Sequence, residues 1–169
     1  TTRLDYVIPS RGLLGYTTSF LTLTKGYGII SHTFKEYRPY KKLELGERLL
    51  GVLVATESGT STPYALEHVE ERGTMFIDPG VEVYEGMIVG ENRYDIDLAV
   101  NVVTKKNLTN VRSSTKDNTV VLKTPRKMSL EGCLDYINLD ELVEITPKTY
   151  RMRKKILNTE ERKKFDARY

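Results

Sequence analysis

The 169 residues suit one domain or two small ones, and an apolar content of 39% is enough to build a core. One cysteine, Cys133, excludes an internal disulfide framework and favours a reducing, cytoplasmic location. No apolar run approaches the roughly 20 residues that a membrane-spanning helix needs, and no signal peptide is present, so no membrane partner is expected. The formal net charge of +3 conceals an asymmetry. Residues 104–128 carry seven Lys/Arg against Asp117, and residues 148–169 carry nine against three acids. Each segment is therefore +6, which leaves the rest of the chain at −9. Gathered cations against an acidic remainder are the footprint of a polyanion binder.

In chain order, Leu4, Tyr6 and Ile8 alternate and predict a strand, which Pro9-Ser10-Arg11-Gly12 breaks. Leu13, Tyr16, Phe20 and Leu23 recur at helical spacing, so an amphipathic helix is expected over 12–24, ended by Gly26-Tyr27-Gly28. Ile30, His32 and Phe34 predict a second strand reaching about Tyr37. One β-α-β unit is too small to cover both faces of a sheet, and the chain starts without Met inside a strand-like pattern. The expectation is a fragment of a longer protein whose first domain is incomplete. Its open strand edge would invite self-association.

Residues 38–46 read as a linker. A strand is expected at 49–55. A helix should follow, with Thr62 as N-cap and Pro63 at its first position, and Gly73 should stop it. Short extended pieces are expected at 75–77, 81–84, 87–90, 98–103 and 120–122. Ser129 caps a helix carrying Leu130, Cys133, Leu134 and Ile137, a pattern that makes Cys133 a buried structural thiol. Strands at 142–145 and 150–153 flank Thr146-Pro147-Lys148. Asn158 with Glu161 opens a charged tail helix. The fold class is α+β, with a partial ferredoxin-like unit and then a mixed, partly closed sheet or barrel over about 45–157.

No catalytic or metal motif is found. There is no phosphate-binding glycine loop, no Cys-x-x-Cys, and no His-Glu-x-x-His. His32 and His68 each have an ordinary structural reading. The most informative stretch is 104–128, of which 104–118 has no strand or helix period. Lys105, Lys106, Arg112 and Lys116 alternate there with Asn107, Thr109, Asn110, Ser113 and Ser114. Such a loop buries little and offers many donors to phosphate and sugar oxygens, which makes it a candidate RNA finger. The plainer reading is a solvated charged loop, and it stays open at this point. Lys148, Arg151, Arg153, Lys154 and Lys155 form a second candidate set for phosphate contacts.

Several segments together resemble one family: RLDYVIPSRGLLGY (3–16), TKGYGII (24–30), ALEHVEERGTMFIDPGVEVYEGMIVGE (65–91), KKNLTNVRSS (105–114) and ELVEITPKTYRMRKKIL (141–157). They are similar, in order, to the C-terminal part of the ribosome-associated translational GTPases BipA/TypA. The resemblance implies that residues 1–40 are the second half of a domain like domain V of elongation factor G. It implies that residues 44–169 are the C-terminal domain peculiar to the family. It further implies binding to the large ribosomal subunit, with the loop Lys105–Asp117 reaching rRNA and the acceptor arm of A-site tRNA. GTP and Mg would belong to the family's GTPase domain, so this chain is expected to hold no cofactor and to be non-catalytic. Lys106-Asn107-Leu108 departs from the family's pattern, where a second lysine is expected before the leucine.

Overall fold

The computed structural model describes residues 2–13, 16–39, 48–106 and 121–166. A 3-10 turn at Ser10–Leu13 leads into helix α1, Tyr16–Leu23. The helix closes with paired bonds, Gly26 N–H to Leu21 O and Lys25 N–H to Thr22 O, each using carbonyls the helix leaves open. Lys25 and Gly26 have φ of 52° and 81°, the left-handed region that this cap requires. The two strands expected on either side of α1 do not form. No ladder among the described residues pairs them, and Leu4, Tyr6, Ile8, Phe34 and Tyr37 are exposed. Alternation predicts which face a strand would bury, but a strand also needs a neighbour for its N–H and C=O groups.

The second region is built on strand β1, Val52–Ala55, whose four residues are all buried. It lies between β5 (Ile88–Asn92), antiparallel to it, and β6 (Leu98–Val100), parallel to it. Strand β3 (Gly73–Met75) pairs antiparallel with β5, so the sheet order is β3-β5-β1-β6. Two antiparallel pairs complete the strands: β2 (Gly59–Thr60) with β4 (Glu82–Val83), and β7 (Glu141–Ile145) with β8 (Tyr150–Lys154). The α+β class therefore holds, while the expected partial closure does not. All three sheets are open among the described residues, and the faces of the central one are covered by helices together with Val83 of β4 and Met152 of β8.

The strand period of two assigns those faces. Leu53, Ala55, Val89 and Val100 pack with Leu66 and Val69 of helix α2, Pro63–Glu70. Val52, Val54 and Ile88 pack on the other face with Cys133 and Tyr136 of helix α3, Leu130–Tyr136, and with Met152 of β8. Burial of each such aliphatic side chain contributes about 1.5–3 kcal/mol. The caps read from sequence are present. Thr62 Oγ1 accepts from Ala65 N–H at 3.1 Å, and Ser129 Oγ from Gly132 N–H at 3.2 Å. Asn158 Oδ1 accepts from the N–H groups of Glu160 and Glu161 at the start of helix α4, Thr159–Asp166. Cys133 is buried, and that burial pushes its thiol pKa up, as expected of a structural cysteine. No helix is long and apolar enough to cross a membrane among the described residues.

Candidate nucleic-acid interface

The basic segment enters and leaves the domain at opposite ends of α2. On the way in, Val102 is buried and its carbonyl accepts from Thr62 N–H at 3.0 Å. Thr62 Oγ1 donates to Thr104 O at 2.5 Å, while Asn101 Oδ1 accepts from the N–H groups of Val103 and Thr104. On the way out, Lys123 N–H donates to Glu70 Oε2 at 3.0 Å, and Arg126 N–H to Met75 O at 2.8 Å. This last bond brings Arg126 against edge strand β3. Of the extended piece expected at 120–122, residues 121 and 122 form no strand and residue 120 lies outside the described residues. Thr62 and Glu70 are eight residues apart, so the two anchors are separated by about 12 Å along the helix.

Lys105 and Lys106 are exposed on the entering stem and make no ion pair among the described residues. Asn107, Thr109, Asn110, Arg112, Ser113, Ser114 and Lys116 lie outside the described residues. Two further cations of the segment are committed to the fold: Arg126 pairs with Glu91 at 3.3 Å and lies over the Phe76 and Tyr136 rings, and Lys127 pairs with Asp78. Lys123 is held to Glu70 through its backbone N–H, a bond that does not use its ammonium.

The second candidate set divides. Lys148 and Lys155 are exposed. Arg151 is half-buried opposite Glu144 in the β7–β8 register, and Arg153 pairs with the Glu144 carboxylate at 2.7 Å. Tyr84 donates its hydroxyl to the same carboxylate, and burial together with that bond pushes the phenol pKa up. Lys154 has to be removed from the set. It is 3% exposed, and its Nζ lies 2.5 Å from Asp97, 2.6 Å from Asp140 and 2.8 Å from Glu141. Three carboxylates that could surround a metal ion are thus already organised around an ammonium. Burial alone would lower the Lys154 pKa, but the bonds to Asp140, Asp97 and Glu141 outweigh it and hold the value up to about 12. A strand period of two could have found this: Met152 and Lys154 share the inward face of β8, while Arg151 and Arg153 share the other.

Sequence reading missed Arg48 altogether. Its guanidinium is 8% exposed and grips both Glu141 oxygens at 2.9 Å. It also donates to Tyr136 O and Leu50 O, and stacks 4.6 Å over the Tyr136 ring. Desolvation would raise the Glu141 pKa, yet the bonds from Arg48 and Lys154 leave it below the ordinary value.

Comparison with known proteins fits this arrangement. Residues 50–159 match the family described as TypA/BipA C-terminal domain, and residues 1–47 match elongation factor G C-terminus. A Bacillus subtilis protein named large ribosomal subunit assembly factor BipA is 54% identical over 162 residues, covering 96% of this chain and 26% of that protein. Proteins of the same name from Synechocystis and Haemophilus influenzae are 50% and 46% identical, over 90% and 96% of this chain and 26% of each relative. The chain therefore spans about a quarter of the length of these relatives. With both C-terminal regions matched in order, the chain belongs to the TypA/BipA family.

Proposed function

We propose that this chain is a non-catalytic ribosome-binding module, and that the loop Lys105–Asp117 contacts rRNA and the backbone of A-site tRNA on the large subunit. The observation that carries the reading is the anchoring of both stems to α2, with Lys105 and Lys106 exposed at the start of the loop. A cationic loop held at two fixed points loses less conformational freedom on meeting a polyanion than a free one. Lys148, Arg151, Arg153 and Lys155 add phosphate contacts from the β7–β8 hairpin. The relatives' printed name, large ribosomal subunit assembly factor, supports the same partner. In this reading residues 1–40 and 44–169 are two domains, the module works in the cytoplasm, and GTP with Mg belongs to a GTPase domain of the longer protein.

The test replaces Lys105, Lys106, Arg112 and Lys116 together with Ala. Lys105 and Lys106 are exposed, and with all four positions read as ordinary surface sites, stability should change by less than about 0.5 kcal/mol per position. Co-sedimentation with purified large subunits should weaken, and the slope of log affinity against log salt should fall by about three, because up to four fewer counterions are released. A variant that melts normally and binds as tightly at every salt concentration would make this a solvated loop.

A further inference from the structure

Where the basic segment returns to the fold, it leaves a cleft of about 380 Å³ between itself and the sheet. Lys123 N–H holds one end of the outer wall to Glu70 Oε2, and Arg126 N–H holds the other to Met75 O. The floor is edge strand β3. Phe76 N–H donates to Val89 O and Arg93 N–H to Arg72 O, so residues 72, 74 and 76 turn their backbone groups toward β5. Gly73 and Met75 turn theirs outward. Met75 O takes the Arg126 N–H, which leaves Gly73 N–H, Gly73 C=O and Met75 N–H without a partner among the described residues. This open edge runs for about 7 Å, too short to seat a further strand.

The charged lining is balanced, Glu70 and Glu91 against Arg93 and Lys123, so net charge selects no ligand and the arrangement does. The acceptors lie inside. Glu70 is half-buried, the Glu91 side chain is 20% exposed and Asn92 is buried. Neither Glu70 Oε1 nor Asn92 Oδ1 accepts a hydrogen bond from a described residue. The cations lie outside: Arg93 and Lys123 are exposed and make no ion pair among the described residues. A bare phosphate would meet carboxylates inside, and an apolar ligand would strand the open backbone groups. A nucleotide suits both ends, with its base inside and its phosphates on the rim. Guanine alone among the four RNA bases sets an imino N–H and an amino group side by side for one carboxylate, with a carbonyl oxygen next to them. We infer that this cleft takes one unstacked guanine nucleotide of the RNA that the basic loop meets. Glu70 accepts from the base N1–H and N2–H, the outward N–H groups of Gly73 and Met75 donate to its O6, and Arg93 and Lys123 hold the flanking phosphates. The inference rests on the ribosome-binding reading above, and it adds to a loop that contacts backbone a site that reads a base.

The experiment titrates the full chain with three single-stranded RNAs: a uridine heptamer with guanosine at its centre, the same heptamer with inosine there, which lacks the amino group, and the all-uridine heptamer. Affinity is read by fluorescence anisotropy and the backbone amides by heteronuclear NMR. The guanosine heptamer should bind about threefold or more tighter than the other two and shift the Gly73 and Met75 amides. Glu70→Gln keeps an oxygen for Lys123 N–H, so it should melt like the parent, yet bind all three alike. Arg93→Ala with Lys123→Ala should weaken all three and lower the salt slope by about 1.4, the value for two phosphate contacts on a single strand. Equal affinity of the parent for the three RNAs overturns the inference. So does a guanosine preference that leaves the Gly73 and Met75 amides unshifted, or one that survives Glu70→Gln. Co-sedimentation with purified large subunits is read separately. Its failure overturns the ribosome-binding reading and this inference with it, whereas normal sedimentation without a guanosine preference overturns this inference alone.

Discussion

Lys154 separates a structural cation from a binding one. Both kinds look alike in composition, and only the partners distinguish them. Because Lys154 balances Asp97, Asp140 and Glu141, Lys154→Met should lower the melting temperature while leaving ribosome affinity per folded chain unchanged. An exposed phosphate contact would give the reverse pattern. Glu141→Gln is the harsher change. It weakens a buried carboxylate shared by Arg48 and Lys154, and breaking such a pair costs about 3–5 kcal/mol. The pH dependence has a definite sign at each end. Glu141 has a depressed pKa in the fold, so its stabilisation is fully present above the unfolded value of about 4.3 and is lost as pH falls through the folded one. Lys154, raised to about 12, contributes fully below about 10.4 and is lost as pH rises through its folded value. Tyr84 and Tyr136, whose phenols burial also raises, add to the alkaline loss. Thermal melts from acid to alkaline pH should therefore be flat through neutrality, and the Glu141→Gln variant should show a shallower acid limb than the parent. An acid limb that is unchanged in the variant would take Glu141 out of the account.

At the scale of elements, helix α2 does two jobs through one residue. Thr62 caps the helix by accepting from Ala65 N–H, and the same hydroxyl donates to the carbonyl of Thr104 on the stem of the basic loop. Thr62→Ala should cost about 1–2 kcal/mol as a lost N-cap. It should also release one stem, so that large-subunit affinity falls in the variant even at temperatures where it is fully folded. Thr62→Ser keeps the hydroxyl and should restore both. If Thr62→Ala loses stability but binds normally, the stem anchor is only structural. What sequence could read here follows from how local each signal is. Thr62-Pro63, Ser129 and Asn158 carry their caps within three residues, and all three caps are present. The pairing of β1 with β5 and β6 joins residues about 35 to 45 positions apart, which no local period encodes. The same limit hid Arg48, whose partner Glu141 is 93 residues away. Of the candidate interface, the stretch of cations was legible as composition. The pairing of Arg126 with Glu91 required the fold, while the inward place of Lys154 was within reach of a strand period of two.

Across the whole molecule, the two regions differ in how they treat apolar surface. Residues 48–106 and 121–166 build buried clusters on both faces of one sheet, whereas no described residue of 2–39 is buried, and Leu4, Tyr6, Val7, Ile8, Tyr27, Ile29, Phe34 and Tyr37 there are exposed. With no ladder pairing them among the described residues, the segments around Leu4–Ile8 and Ile30–Tyr37 offer N–H and C=O groups to another strand, and such chain recruits one when it is offered. Concentration-dependent association of the chain is the expected result, driven by these side chains as much as by the backbone. Sedimentation velocity should show the average sedimentation coefficient rising between micromolar and millimolar chain. Raising the salt should leave that rise intact or strengthen it, since apolar burial is not screened as charge contacts are. The variant Tyr27→Ser with Ile29→Ser removes two of the most exposed apolar side chains and should shift the rise to higher concentration, without altering the melting of residues 48–166. Association that disappears in high salt would instead point to charge contacts between copies, and association that survives the double substitution unchanged would take Tyr27 and Ile29 out of the account.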